Sequence, residues 1–166
     1  PTPSCFCCGT DRHNSDGLRI FAGPVPDRDV LAAPWTPDAS LGDGDDGDPV
    51  PEKFVWAALD CPSMWAAVEA AADADAEAQA DADADAEGRQ AVTGRLAVRI
   101  DEPIPVGEPH VVVAWPIDPA GTIRTTGSAV LGADGSVRAV ASHTIVVTDW
   151  GMPLALSREA TDSQFG

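Results

Sequence analysis

One stretch of this chain has the character of a good buried helix, and nearly everything after it has the character of strand. Phe54 to Val68 is the most apolar run, and from Val92 onward the pattern changes to period two, with Leu96, Val98 and Ile100 alternating with Arg95, Ala97 and Arg99. Val111 to Trp115, Ile123 to Leu131 and Val137 to Val147 continue as strands. Asp118-Pro119-Ala120-Gly121 and Gly132-Ala133-Asp134-Gly135 separate them with the residues that hairpin turns require. Upstream, Gly17 to Phe21 and Val30 to Trp35 are predicted to pair as a hairpin across Gly23-Pro24-Val25-Pro26-Asp27. Two strands, one helix and a four-strand meander can bury an apolar sheet face only if the sheet curls round the helix. The expected fold class is therefore α+β, a curved antiparallel sheet wrapped around one central helix.

The 166 residues predict one domain over 1–150, with an acidic low-complexity insertion at 70–90 and a C-terminal tail at 151–166. Net charge is −17, but thirteen acids fall in two segments without Lys or Arg, Asp38 to Asp48 and Glu69 to Glu87, so the remainder is only mildly acidic. The Ala/Asp run is expected to extend the helix and fray, because its like charges repel at one-turn spacing, and it lacks the Gly-punctuated loop of a calcium site. Nine Arg and the single Lys53 are scattered rather than gathered into a stripe, which argues against nucleic acid and anionic membranes as partners. The chain opens on Pro1-Thr2-Pro3-Ser4 with no basic-then-apolar leader, and no run is apolar for long enough to span a bilayer, so a cytoplasmic location is expected.

Asp60 is a lone carboxylate inside the apolar helix, with no Lys or Arg within one turn. A buried, unpaired carboxylate is costly, so it is capping, solvated or kept for chemistry. Pro62 sharpens the choice: it removes a helical hydrogen bond and is expected to bend or break the helix, which would make Asp60 the N-cap of a new one. Cys5 and Cys8 have the CxxC spacing of a metal half-site, and His13 could join them, but no second CxxC follows and Cys61 is far away in sequence. A tight turn of small buried thiols, with no metal, is the expectation. His143 shares a strand face with Ala141 and Ile145, where a hydrogen-bonded structural histidine is expected, and His110 is placed in a turn.

With its Cys5-Phe6-x-Cys8-Gly9 opening followed by Gly17-Leu18, its helix carrying Ala58-Leu59-Asp60, and Thr93-Gly94-Arg95-Leu96 leading to Pro103 and Gly107-Glu108, the chain resembles the hotdog-fold acyl-CoA thioesterases of the phenylacetate-pathway and human thioesterase-superfamily type. The resemblance covers roughly Cys5 to Val147. It implies that Asp60 activates water or attacks the thioester carbonyl, and that Thr93, ten residues before Pro103, holds the water, its hydroxyl supplied by a partner chain. It also implies a homodimer or tetramer built through sheet edges, an acyl-CoA or related thioester as ligand, and no cofactor. The family's His-Gly-Gly motif is absent; Pro51-Glu52-Lys53 stands there, leaving the backbone N–H of Glu52 or Lys53 as the oxyanion donor. Phe54, Trp56, Ser63 and Met64 are the expected pocket residues, the Trp side chains otherwise serving as core or dimer packing. A chain that kept this fold but lost the Gly-Gly geometry would be a non-catalytic acyl or CoA-ligand binding protein, the alternative reading.

Overall fold

The computed structural model describes residues 3–42, 47–78 and 90–148. Helix α1 (Glu52–Ala78) packs against a six-stranded antiparallel sheet of β1 (Gly23–Pro24), β2 (Leu31–Trp35), β3 (Gln90–Ile100), β4 (His110–Asp118), β5 (Ile123–Gly132) and β6 (Val137–Thr148). The strand order is β1-β2-β4-β5-β6-β3, and the sheet curves around the helix, which touches every strand but β1. The curved antiparallel sheet around one helix is as predicted, but the four strands after the helix do not run as a simple meander: β3 pairs with β6, and β4 lies between β2 and β5. The C-terminal tail and residues 79–89 of the acidic insertion lie outside the described residues, while α1 does run into that insertion as far as Ala78.

The helix buries one stripe, Val55, Ala58, Leu59, Pro62, Ser63, Ala66 and Ala67, at the three- and four-residue spacing of a single helical face. Its small residues let the sheet approach closely. Ile20, Ala33, Trp35, Ile104, Val106, Val112, Val130, Ala139 and Ala141 close the core around it. Among the described residues no helix is long and apolar enough to cross a membrane.

Two local expectations fail for identifiable reasons. Pro62 neither breaks the helix nor starts a new one, so Asp60 is a mid-helix residue and not an N-cap. An interior proline costs about 3 kcal/mol, but burial on both sides of Pro62 holds the helix together, and the Leu59 carbonyl accepts hydroxyl hydrogen bonds from Ser63 (2.8 Å) and from Ser128 on β5 (3.0 Å). Gly17 to Phe21 is not a strand of the sheet, because Arg19 adopts a left-handed backbone (φ 54°) and interrupts it. Leu18 and Ile20 instead donate their N–H groups to the carbonyls of Phe6 and Cys7, at 2.8 and 2.9 Å, and β1 is reduced to Gly23–Pro24.

β3 is the sheet edge beyond β6, and it carries an irregularity. Its register with β6 shifts between Thr93 and Arg95, leaving Gly94 as an extra residue. Strict alternation would put Thr93 on the same face as Arg95, away from the helix. The bulge returns it to the face of Leu96, Val98 and Ile100. Only a residue without a side chain fits the bulge comfortably, since a Cβ on Gly94 would sit 3.1 Å from Val146 Cγ2 and 3.3 Å from the Thr144 carbonyl oxygen.

Candidate functional site

Asp60 on α1, Thr93 on β3 and His143 on β6 converge. The Thr93 hydroxyl donates to Asp60 Oδ1 at 3.3 Å, and His143 Nε2 lies 3.1 Å from Thr93 Oγ1 and 3.6 Å from Asp60 Oδ1. Thr93 faces Ile145 across the β3–β6 ladder, which places His143 diagonally opposite it on the same face. Thr93 and Asp60 belong to one chain, so the hydroxyl does not have to come from a partner as anticipated. Nor is Asp60 a buried charge: its side chain is 40% exposed.

His143 is buried and hydrogen-bonded, as expected of it, and its partner is Thr93. Its side chain is fully buried, and burial lowers its pKa below the ordinary 6.5, partly opposed by the negative charge of Asp60. The ring is therefore neutral at pH 7. With Thr93 donating to Asp60, the consistent tautomer has Nε2–H donating to Thr93 Oγ1 and Nδ1 carrying only a lone pair. Nδ1 has no hydrogen-bond partner among the described residues, as that tautomer tolerates better than an orphaned N–H. The result is a directed chain, His143 to Thr93 to Asp60. Both contacts fall on Oδ1.

The other expected residues separate into groups. Glu52 and Lys53 form the exposed first turn of α1, which places them about 12 Å from Asp60 along the axis at 1.5 Å per residue. Their N–H groups are among those a helix leaves without internal partners, but they do not face the Asp60 of their own chain. Phe54 stacks on Phe6 with ring centroids 5.6 Å apart, and Lys53 Nζ lies 4.8 Å from the Phe54 ring centre. Trp56 is exposed and Met64 half-buried, whereas Ser63 is fully buried with its hydroxyl committed to Leu59, so it does not line a pocket. A groove beside the start of α1 is lined by Pro49 to Glu52, Val55 and residues 100–104.

His110 is buried at the start of β4 rather than in a turn, its Nδ1 2.9 Å from the Glu108 carbonyl oxygen. Of the arginines that could have met CoA phosphates, Arg124 is buried and donates to the Ala67 and Gly121 carbonyls, and Arg99 pairs with Asp101 at 2.8 Å, which leaves Arg95 exposed on β3.

No family model matches the sequence, and no curated protein matches it either. Solved structures do match. A thioesterase from Haemophilus influenzae superposes with a TM-score of 0.58 at 14% identity over 79% of each chain. The Escherichia coli PaaI protein of the phenylacetic acid degradation operon does so with a TM-score of 0.57 at 11% identity over 79% of this chain and 80% of that one. A Streptococcus mutans protein solved with acetyl-CoA bound gives 0.56 at 12% identity, covering 78% of this chain and 88% of its own. The helix, the strand order and these superpositions define a hotdog fold. That is the fold the resemblance implied.

Proposed function

We propose that the protein hydrolyses an acyl-CoA or related thioester, with Asp60 as general base or nucleophile and Thr93 as the group that orients it and the attacking water. The observation that carries this reading is the His143–Thr93–Asp60 chain, which holds one oxygen of a half-exposed carboxylate by a hydrogen bond. In the base form, Oδ2 accepts a proton from water as the oxygen attacks the thioester carbonyl. The C–S bond then breaks, and the departing thiolate takes that proton. His143, neutral and turned away from the substrate side, positions Thr93 and is not itself the base.

The same reading makes the working unit a homodimer or a tetramer. β3 is a long edge strand with nothing paired to its outer side among the described residues, and a second copy adding there would bring its own first helical turn towards this Asp60. Glu52 or Lys53 would then offer a backbone N–H to the developing oxyanion, a donation worth about 3 kcal/mol in such sites. The acyl-CoA superfamily context and the acetyl-CoA complex of the S. mutans protein support a CoA thioester as ligand.

A second reading is favoured by one observation. Glu52 places a carboxylate side chain where the family has glycine, and a negative charge there opposes an oxyanion. A non-catalytic acyl or CoA-ligand binding protein fits that substitution. Thiol release from short, medium, long and aromatic acyl-CoAs, compared between the native protein and Asp60→Asn, separates the two: turnover lost in the variant supports hydrolysis, and binding without turnover in either supports the ligand-binding protein.

A further inference from the structure

The fold brings Cys61 to the N-terminal CxxC turn, although the two are far apart in sequence. The sulfurs of Cys5, Cys8 and Cys61 all lie within 4.8 Å of one another, with Cys5 Sγ and Cys61 Sγ 3.6 Å apart. All four cysteines are free thiols. Thiolates around a tetrahedral zinc, at bond lengths of 2.3 Å, stand about 3.8 Å from each other. A disulfide between Cys5 and Cys61 would need the sulfurs to close to about 2.05 Å and would leave Cys8 idle. The spacing is that of ligands around an ion.

The turn itself is built for this. Gly9 donates its N–H to the Cys5 carbonyl at 2.9 Å, and a Cβ on Gly9 would lie 2.4 Å from the carbonyl oxygens of Cys5 and Pro3, so the turn admits no other residue there. His13, the third ligand the spacing alone allowed, lies outside the cluster.

We infer that Cys5, Cys8 and Cys61 are three thiolate ligands of a structural zinc ion. Zinc is the class of ion indicated because clustered thiolates select soft or borderline metals over magnesium, calcium or manganese. The ion would tie the N-terminal segment to α1 at the residue directly after Asp60. It is independent of the hydrolytic reading and carries no reaction of its own.

The test is metal analysis of the full chain purified without chelator, followed by exchange of the bound metal for cobalt(II). The expected result is one zinc per chain and, with cobalt, the thiolate-to-metal charge-transfer and ligand-field absorption of a tetrahedral sulfur-rich site. Cys61→Ser should lower zinc occupancy, and His13→Ala should leave it unchanged. If Cys61→Ser does not fold, the cobalt spectrum of the native chain still decides, since it reads the ligands directly. Metal-free protein in which all four thiols react with a thiol reagent in the native state would overturn the assignment. So would a Cys5–Cys61 disulfide found by mass spectrometry, or cobalt bound without sulfur charge-transfer absorption.

Discussion

His143 Nε2 and Asp60 Oδ1 lie 3.6 Å apart, yet the two do not form an ion pair at neutral pH, because burial keeps the imidazole uncharged. Thr93 mediates between them.

Asp60→Asn preserves shape and removes charge. Turnover of the best acyl-CoA substrate should fall by about 10²–10⁴, while the thermal midpoint changes little because the side chain is half-exposed and its Thr93 contact can be kept by the amide. Thiol-release kinetics beside a calorimetric scan would check both halves; an active variant would remove Asp60 from the mechanism.

Thr93→Val keeps the β-branched shape and deletes the hydroxyl between His143 and Asp60. The expected signature is a fall in kcat of about tenfold, on the order of one lost oriented hydrogen bond, with KM nearly unchanged and most of the activity restored in Thr93→Ser. A change confined to KM would make Thr93 a substrate contact instead.

Deleting Gly94 should leave Thr93 on the helix-facing side. With the extra residue gone, Thr93 directly precedes Arg95, and strict alternation sets it opposite Arg95 on the face of Leu96, where the bulge already holds it. Circular dichroism and turnover should both stay close to native; turnover lost with the sheet intact would show that the bulge itself is needed.

His143 also sets a pH dependence of stability. Its folded pKa is below the ordinary 6.5, so between the two values the unfolded chain binds more protons than the folded one, and stability rises with pH there. Its contribution is complete above pH 6.5 and is lost progressively as the pH falls from there towards the lower folded value. Urea unfolding of the native protein and His143→Gln at about pH 7.5 and about pH 5.5 should show a larger loss on acidification in the native protein. Equal losses would mean that the ring is not desolvated.

Gly127→Ala tests the outer face of the sheet. A Cβ there would fall 2.4 Å from Trp115 Cε2 and Cζ2, and the indole, paired directly opposite on β4, has no room to rise. The variant should lose about 2 kcal/mol from overpacking and shift the tryptophan fluorescence. An unchanged melting temperature would show that the ring swings aside freely.

The period-two pattern after Val92 and the single apolar helix were enough to predict the wrapped sheet, the lone carboxylate in that helix singled out Asp60, and resemblance alone pointed to Thr93. What periodicity could not supply is where it is broken. Gly94 inside a strand is the available signal for a bulge, and without the bulge Thr93 would point away from the helix. Alternation with Ala141 and Ile145 did place His143 on an inward face; which helical residue it meets depends on strand register between elements fifty residues apart. Arg19 and Pro62 misled for opposite reasons. A left-handed backbone at an arginine has no sequence signature, and a proline inside a helix is tolerated when tertiary packing outweighs the lost hydrogen bond. Cys61 was separated from Cys5 and Cys8 by the same long-range blindness.

Gly94 puts the hydroxyl of Thr93 close to the rim of the sheet, on the strand with the free outer edge. If a second copy docks along that edge, the seam and the hydroxyl that holds the reactive carboxylate share a strand, and quaternary structure and catalysis become one equilibrium. Simple dilution would then lower the specific activity per chain, and a substitution on the outer edge of β3, far from any substrate atom, would present itself in an assay as a kinetic mutant.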